Sequence, residues 1–225
     1  MTVHQPLGVL AVRYADAPYV ADNAVPFIRS LLAEGDSARA LKAAMLLRDA
    51  NPGSSDAQAL VGDVRMASGD SRGAAADYRT AMTIRRGPLM LERLVSALRA
   101  SGQDGAAEAA AQAYLEGAPG DLTAMRLLAA GTGRNGRWED AARLLDALAQ
   151  RGQGGPLSLA QRAVVALGEG DQPRALDYAR LAYSDQPASP LAAQALADAL
   201  QRSGDRGPLA GELARQARLA SAGSK

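Results

Sequence analysis

Glycines recur through this chain at an almost constant interval. Successive members of one series are about 34 residues apart: Gly35, Gly69, Gly102, Gly136, Gly170 and Gly204. Repetition at a fixed period of roughly 20 to 50 residues is typical of chains that stack one supersecondary unit on itself. This period limits the possible folds more than any other feature of the sequence.

Each unit has the pattern of two helices separated by its glycine. In the third copy Leu91, Leu94, Val95 and Leu98 follow helical spacing before Gly102. A glycine at the end of a helix commonly takes the left-handed conformation. Five residues after the first five glycines comes an alanine, which allows two helices to pack closely: Ala40, Ala74, Ala107, Ala141 and Ala175. Because only 4% of residues are aromatic and alanine is abundant, we expect an all-α fold.

This pattern resembles the tetratricopeptide repeat (TPR) family, whose unit is a helix–turn–helix of about the same period. The second copy carries the resemblance best, with Val61-Gly62, Gly69, Ala74, Tyr78 and Ala81-Met82. The family's first-helix aromatic is missing from every copy, as in a divergent bacterial-type array. The resemblance implies a right-handed α-α superhelix of antiparallel helix pairs, a TPR solenoid. Six repeats are expected at about 21–54, 55–87, 88–121, 122–155, 156–189 and 190–219.

One stretch also spells the G-x-G-x-x-G of a dinucleotide-binding loop, at Gly131, Gly133 and Gly136. Such a loop must follow a strand within a βαβ unit. No strand pattern precedes it, and the repeat register makes Gly136 a turn glycine, so we expect no nucleotide site.

The two ends of the chain are less regular. Residues 1–20 are predicted to hold a helix over Pro6–Ala15, packed against the first full repeat. This helix is either the second half of a truncated repeat in a longer array or a native capping helix. At the other end Gly207–Leu219 is predicted to form a final, polar helix, and residues 220–225 a disordered tail.

Composition argues against several functional classes. The net charge is +1 with acids and arginines interspersed, which disfavours a nucleic-acid surface. The chain has no cysteine, and its one histidine, His4, lies near a terminus. No catalytic or metal-binding motif is present. Trp138 follows a turn glycine by two, where packing at the turn is its expected role. We expect neither catalysis nor a cofactor or metal.

A groove for a protein or peptide partner is the remaining hypothesis. In the family the first helices line a concave groove, and two glycines of the fourth and fifth repeats are expected to leave a dent in its floor. Arginines would flank this dent and apolar side chains would wall it. The candidate residues are Arg99, Arg126, Gly133, Arg134, Val164, Leu167 and Gly168. The alternative is that the glycines mark frayed helix ends and the arginines a solvated face.

Three functions remain open at this stage. The first is a non-catalytic scaffold that binds a peptide or partner helix. The second is a spacer in a larger bacterial envelope or polysaccharide-export protein, and the third is a regulatory peptide sensor. No signal peptide and no apolar run of about 18 residues is present, so cytoplasm and periplasm both remain possible.

Overall fold

A computed structural model describes residues 6–205, 207–213 and 215. Over these residues the chain is all-α, as predicted, and contains no strand. Its helices are α1 (Leu7–Asp16), α2 (Ala21–Ala33), α3 (Ser37–Ala50), α4 (Ser55–Ala67), α5 (Ser71–Ile84), α6 (Pro88–Ala100), α7 (Asp104–Gly117), α8 (Leu122–Arg134), α9 (Trp138–Gln150), α10 (Pro156–Glu169), α11 (Gln172–Asp185) and α12 (Pro190–Arg202). Residues 208–213 are also helical.

The glycine at each predicted turn takes the left-handed conformation. The φ angles of all six lie between +73° at Gly102 and +84° at Gly69. A side chain at such a position would be strained, which explains why glycine is used there. The turn assignment is therefore confirmed. Gly152, between α9 and α10, has the same conformation at φ +77° and lies outside the repeat pattern.

Acidic residues begin several of the second helices. The aspartate side chain after the turn glycine accepts the backbone N–H three residues on, at 2.9 to 3.1 Å, in Asp36, Asp70 and Asp171. These caps satisfy amides that have no partner inside the helix. The sequence Gly-Asp thus encodes both the end of one helix and the start of the next.

The alanines five residues after the turn glycines are buried. Ala40, Ala74, Ala141 and Ala175 are 0% exposed and Ala107 is 1% exposed. Leu209, which stands at this position in the sixth copy, is 47% exposed. Small side chains at these points let paired helices approach closely.

The chain forms two compact units, residues 1–110 and 111–225, with the division inside α7. In the first unit α2 packs against α1 and α3, and α4 packs against α3 and α5. Its core includes Leu10, Phe27, Ile28, Leu31, Leu47, Val61 and Val64. In the second unit α10 packs against α8, α9, α11 and α12.

The division into six repeats stays a prediction, because the two compact units are defined by contacts between residues and their boundary does not mark individual repeats. The helix predicted near the amino end lies at Leu7–Asp16 and packs against α2. Of the predicted final helix, residues 206, 214 and 216–219 lie outside the described residues, as does the 220–225 tail. None of the described helices is long and apolar enough to cross a bilayer.

Candidate functional site

Three of the seven candidate residues meet at one pocket in the second unit. Val164, Leu167 and Gly168 of α10 lie along one side of a cavity of about 380 Å³. The pocket is completed by four further residues, Trp138 at the start of α9 and Asp198, Gln201 and Arg202 of α12. Cavities that bind small ligands or side chains usually begin at about 300 Å³. The pocket is therefore large enough for one or two side chains.

Trp138 forms the aromatic wall of this pocket. A Cβ atom added to Gly168 would lie 2.3 Å from the Cδ2 and Cε2 atoms of the Trp138 indole. Carbon atoms do not approach so closely, so only glycine permits the ring to lie there. The indole thus occupies part of the space above Gly168, where a dent was predicted, and the pocket lies beside the ring.

Gly133 lies beside the same indole. A Cβ there would be 3.7 Å from Trp138 Cζ3, 3.7 Å from Ala141 Cβ and 3.8 Å from a Val165 methyl group. Gly133 is buried within α8, and Gly168 lies within α10. Both glycines therefore lie beside the ring, each as the second-to-last residue of its helix.

The remaining wall of the pocket is polar. The Asp198 carboxylate accepts a hydrogen bond of 2.8 Å from the Gln194 side-chain amide. Arg202 is exposed and forms no ion pair with any described residue. The Asp198 carboxylate, the Gln201 amide and the Arg202 guanidinium thus lie beside the apolar surface of Val164 and Leu167. This combination of groups can bind an apolar side chain of a ligand and form hydrogen bonds with the ligand backbone next to it.

The predicted arginines lie elsewhere. Arg126 and Arg134 are on α8 and do not line this pocket, and each interacts with another group. Arg99 is on α6, in the first unit. Val164, Leu167 and Gly168 share α10, whereas Trp138 and Arg202 were not predicted to be their neighbours. The available signal was a single tryptophan, 30 residues before a glycine that lies in a helical pattern.

The first unit has its own pocket, of about 290 Å³, lined by Val25 and Arg29 of α2, Asp63 of α4 and Arg93 of α6 among others. Asp63 accepts a 2.8 Å hydrogen bond from the Tyr78 hydroxyl and forms a 3.4 Å salt bridge with Arg93. Burial, followed by the hydrogen bond to Asp63, raises the pKa of Tyr78 well above its usual value of 10.0. Tyr78 therefore stays protonated and donates this hydrogen bond at neutral pH.

A buried carboxylate also lies in the first unit, on α5. Asp77 accepts hydrogen bonds from Gln58 Nε2 at 3.0 Å and from Arg65 Nη1 at 2.7 Å. Its pKa is raised above the usual 3.8 by burial, against the opposing effect of Arg65. Since both oxygens are held by structural partners, this carboxylate ties α5 to α4.

No metal-binding arrangement is found in the part of the chain that the structure describes, where no three His, Cys, Asp or Glu side chains cluster. His4 lies outside the described residues. The groups that the pockets offer are indole, aliphatic, carboxylate, amide and guanidinium groups, which suit binding.

Comparison with known proteins agrees with this architecture. No family model matches the sequence, and no curated protein is similar to it in sequence. Among solved structures, YrrB, a TPR protein with an unusual peptide-binding site, superposes with a TM-score of 0.58 at 17% identity, over 84% of this chain and 98% of YrrB. A tetratricopeptide repeat protein from Parabacteroides merdae gives 0.68 at 14% identity, covering 84% and 74%. PilF of Pseudomonas aeruginosa gives 0.63 at 16% identity, covering 89% and 90%. Together with the repeated helix pairs and left-handed turn glycines, these likenesses establish that the chain folds as a tandem array of tetratricopeptide-repeat helix pairs.

Proposed function

We propose that this chain is a non-catalytic interaction scaffold that anchors an apolar side chain of a peptide partner in the pocket between α10 and α12. The observation that carries the proposal is the pocket itself, where Trp138, Val164 and Leu167 provide apolar walls beside Asp198 and Arg202. Such pockets combine apolar burial, which gives affinity, with a few polar groups, which fix orientation.

The charges indicate how the peptide backbone would be held. The Asp198 carboxylate accepts from N–H donors, whereas Arg202 donates to carbonyl oxygens or to an acidic side chain. The likeness in fold to YrrB, a protein with a peptide-binding site, supports the same class of partner. A pocket of about 380 Å³ is too small to enclose a whole regulatory peptide. Its size therefore favours binding of one side chain from a longer segment over the sensor hypothesis.

The test is selection of binders from a random peptide library displayed on phage, using the purified chain as bait. We expect the enriched peptides to share one apolar residue and to change the fluorescence of Trp138, the only tryptophan. Val164→Glu, at a side chain that is 39% exposed, should weaken their binding about tenfold or more.

The matched control is Leu181→Glu, which places the same charge at a 53% exposed residue of α11 that does not line the pocket. Leu167→Asp is unsuitable because Leu167 is only 8% exposed, and an acid there would unfold the helix pair. Equal binding by the Val164 and Leu181 variants would contradict the proposal. A library that yields no enriched peptide would favour the spacer hypothesis.

A further inference from the structure

A second and larger apolar concavity lies in the first unit, between α1 and α3. It has a volume of about 780 Å³, with Phe27 of α2 at its floor and Ala11 and Tyr14 of α1 on one side. The Tyr14 and Phe27 rings stack with centroids 4.5 Å apart. None of its lining residues belongs to the pocket that contains Asp63. We call this concavity the α1–α3 trough.

Helix α3 lines the trough along its length. Eight residues of α3 line it. Arg39 and Ala43 are two of these, and the other six recur at intervals of three and one residues, which places them on one helix face: Ala38, Leu41, Lys42, Met45, Leu46 and Asp49. From first to last they extend about 16 Å along the helix. An elongated apolar trough of this length accommodates a helix of about three turns.

The trough carries one uncompensated positive charge. Asp49 is paired with Arg48 at 2.6 Å. Arg39, the other lining cation, is paired with Asp36 at 3.3 Å. Lys42 is exposed and forms no ion pair with any described residue. A partner for this trough should therefore present an apolar stripe and an acid.

The outer face of α1 has this complementary pattern. Val9 and Val12 are 49% and 64% exposed, and Asp16 is exposed on the same face at i+7 from Val9. Arg13 is also exposed on this face and donates a 3.4 Å hydrogen bond to the Asn23 side chain. Asp16 forms no ion pair with any described residue. It ends α1, where the helix dipole disfavours a negative charge. Helix α1 has 10 residues and is about 15 Å long, close to the length of the trough.

We propose that the α1–α3 trough binds α1 of a second copy of this chain. Val9 and Val12 of each copy pack into the other copy's trough, and each Asp16 pairs with the other copy's Lys42. Because every chain carries both the trough and the stripe, a two-fold axis satisfies both contacts at once, as in an isologous dimer. Apolar burial provides the affinity, and the two charge pairs set the register.

Charge exchange tests this arrangement directly. Sedimentation velocity should show the unaltered chain as a dimer of twice 23.2 kDa. Asp16→Lys makes both groups positive and Lys42→Asp makes both negative, so each variant alone should dimerise at least tenfold more weakly. A one-to-one mixture of the two variants should recover the dimer, because every charge then faces its opposite. Both residues are exposed, so circular dichroism should show unchanged helix content.

Cross-linking provides a second measurement, since the chain has no cysteine of its own. A short bis-maleimide should join Val12→Cys to Leu46→Cys in a mixture of the two variants. It should not join Val12→Cys to Leu181→Cys, which is exposed in the second unit. A chain that stays monomeric overturns the proposal, whether the trough is empty or covered by a different segment. A dimer that is insensitive to both charge variants overturns it as well.

Discussion

Alanine substitution at two glycines beside one indole ring should change stability in opposite directions. Gly168 and Gly133 are each the second-to-last residue of a helix, and both face Trp138. A methyl group at position 168 would lie 2.3 Å from the indole, whereas one at position 133 would have no neighbour closer than 3.7 Å. The same chemical change therefore causes a clash at one site and fills ordinary contact space at the other.

The magnitudes follow from these distances. For Gly168→Ala the indole must retreat by about 1.2 Å or more to reach normal carbon contact distance. Overpacking of this kind costs about 1–3 kcal/mol. Alanine has a more favourable helix propensity than glycine by about 0.5–1 kcal/mol, so we expect a net loss of stability of up to about 2.5 kcal/mol, centred on about 1 kcal/mol. In Gly133→Ala no clash opposes the more favourable helix propensity of alanine, so this variant should be neutral or stabilising by up to about 1 kcal/mol.

Urea unfolding followed by circular dichroism measures both effects. The fluorescence of Trp138, the only tryptophan, reports the ring itself. Gly168→Ala should shift the emission to longer wavelength as the indole moves into solvent, and Gly133→Ala should leave it nearly unchanged. In a Trp138→Leu background the cost of Gly168→Ala should fall, with a coupling energy of about 1 kcal/mol or more.

Two results would refute this reasoning. The first is equal stability changes for the two alanine variants, which would mean that the ring adapts without cost. The second is an unchanged emission spectrum in Gly168→Ala, which would mean that the indole does not occupy the space above that glycine.

Three further predictions concern the first unit. Gly102→Val should lower stability by about 1–2 kcal/mol because φ is +73° there, and an unchanged melting temperature would contradict the turn. Tyr78→Phe removes the 2.8 Å hydrogen bond to Asp63 and should cost about 0.5–1.5 kcal/mol in urea unfolding, with no loss if the bond is not formed in solution. Burial raises the folded-state pKa of Asp77 above 3.8, so the folded state holds the proton to higher pH than the unfolded chain. The stability contribution of Asp77 should therefore decrease as the pH rises from 3.8 through the folded pKa. Asp77→Asn should remove this pH dependence from the free energy of unfolding measured across that range. An identical pH slope in the variant would show that Asp77 is not perturbed.

Features that depend on near neighbours in the chain were predictable from the sequence. The recurring glycine of each unit ends a helix because the left-handed conformation is a local property of glycine. The aspartate that follows caps the next helix within three residues, as at Asp36. Helical spacing of apolar residues then places side chains such as Val164 and Leu167 on a common helix.

Features that depend on contacts between helices were decided only by the tertiary structure. The position of the Trp138 ring follows from the packing of α9 against α10, which places the indole against Gly168 inside the expected dent. Asp198 and Arg202 reach the same pocket from α12, two helices beyond Gly168 in the chain. Helical periodicity specifies which face a residue occupies, but not the side-chain rotamer or the approach of a neighbouring helix. For this reason the sequence by itself determined the repeat and its turns, and the packing of helices determined the pocket.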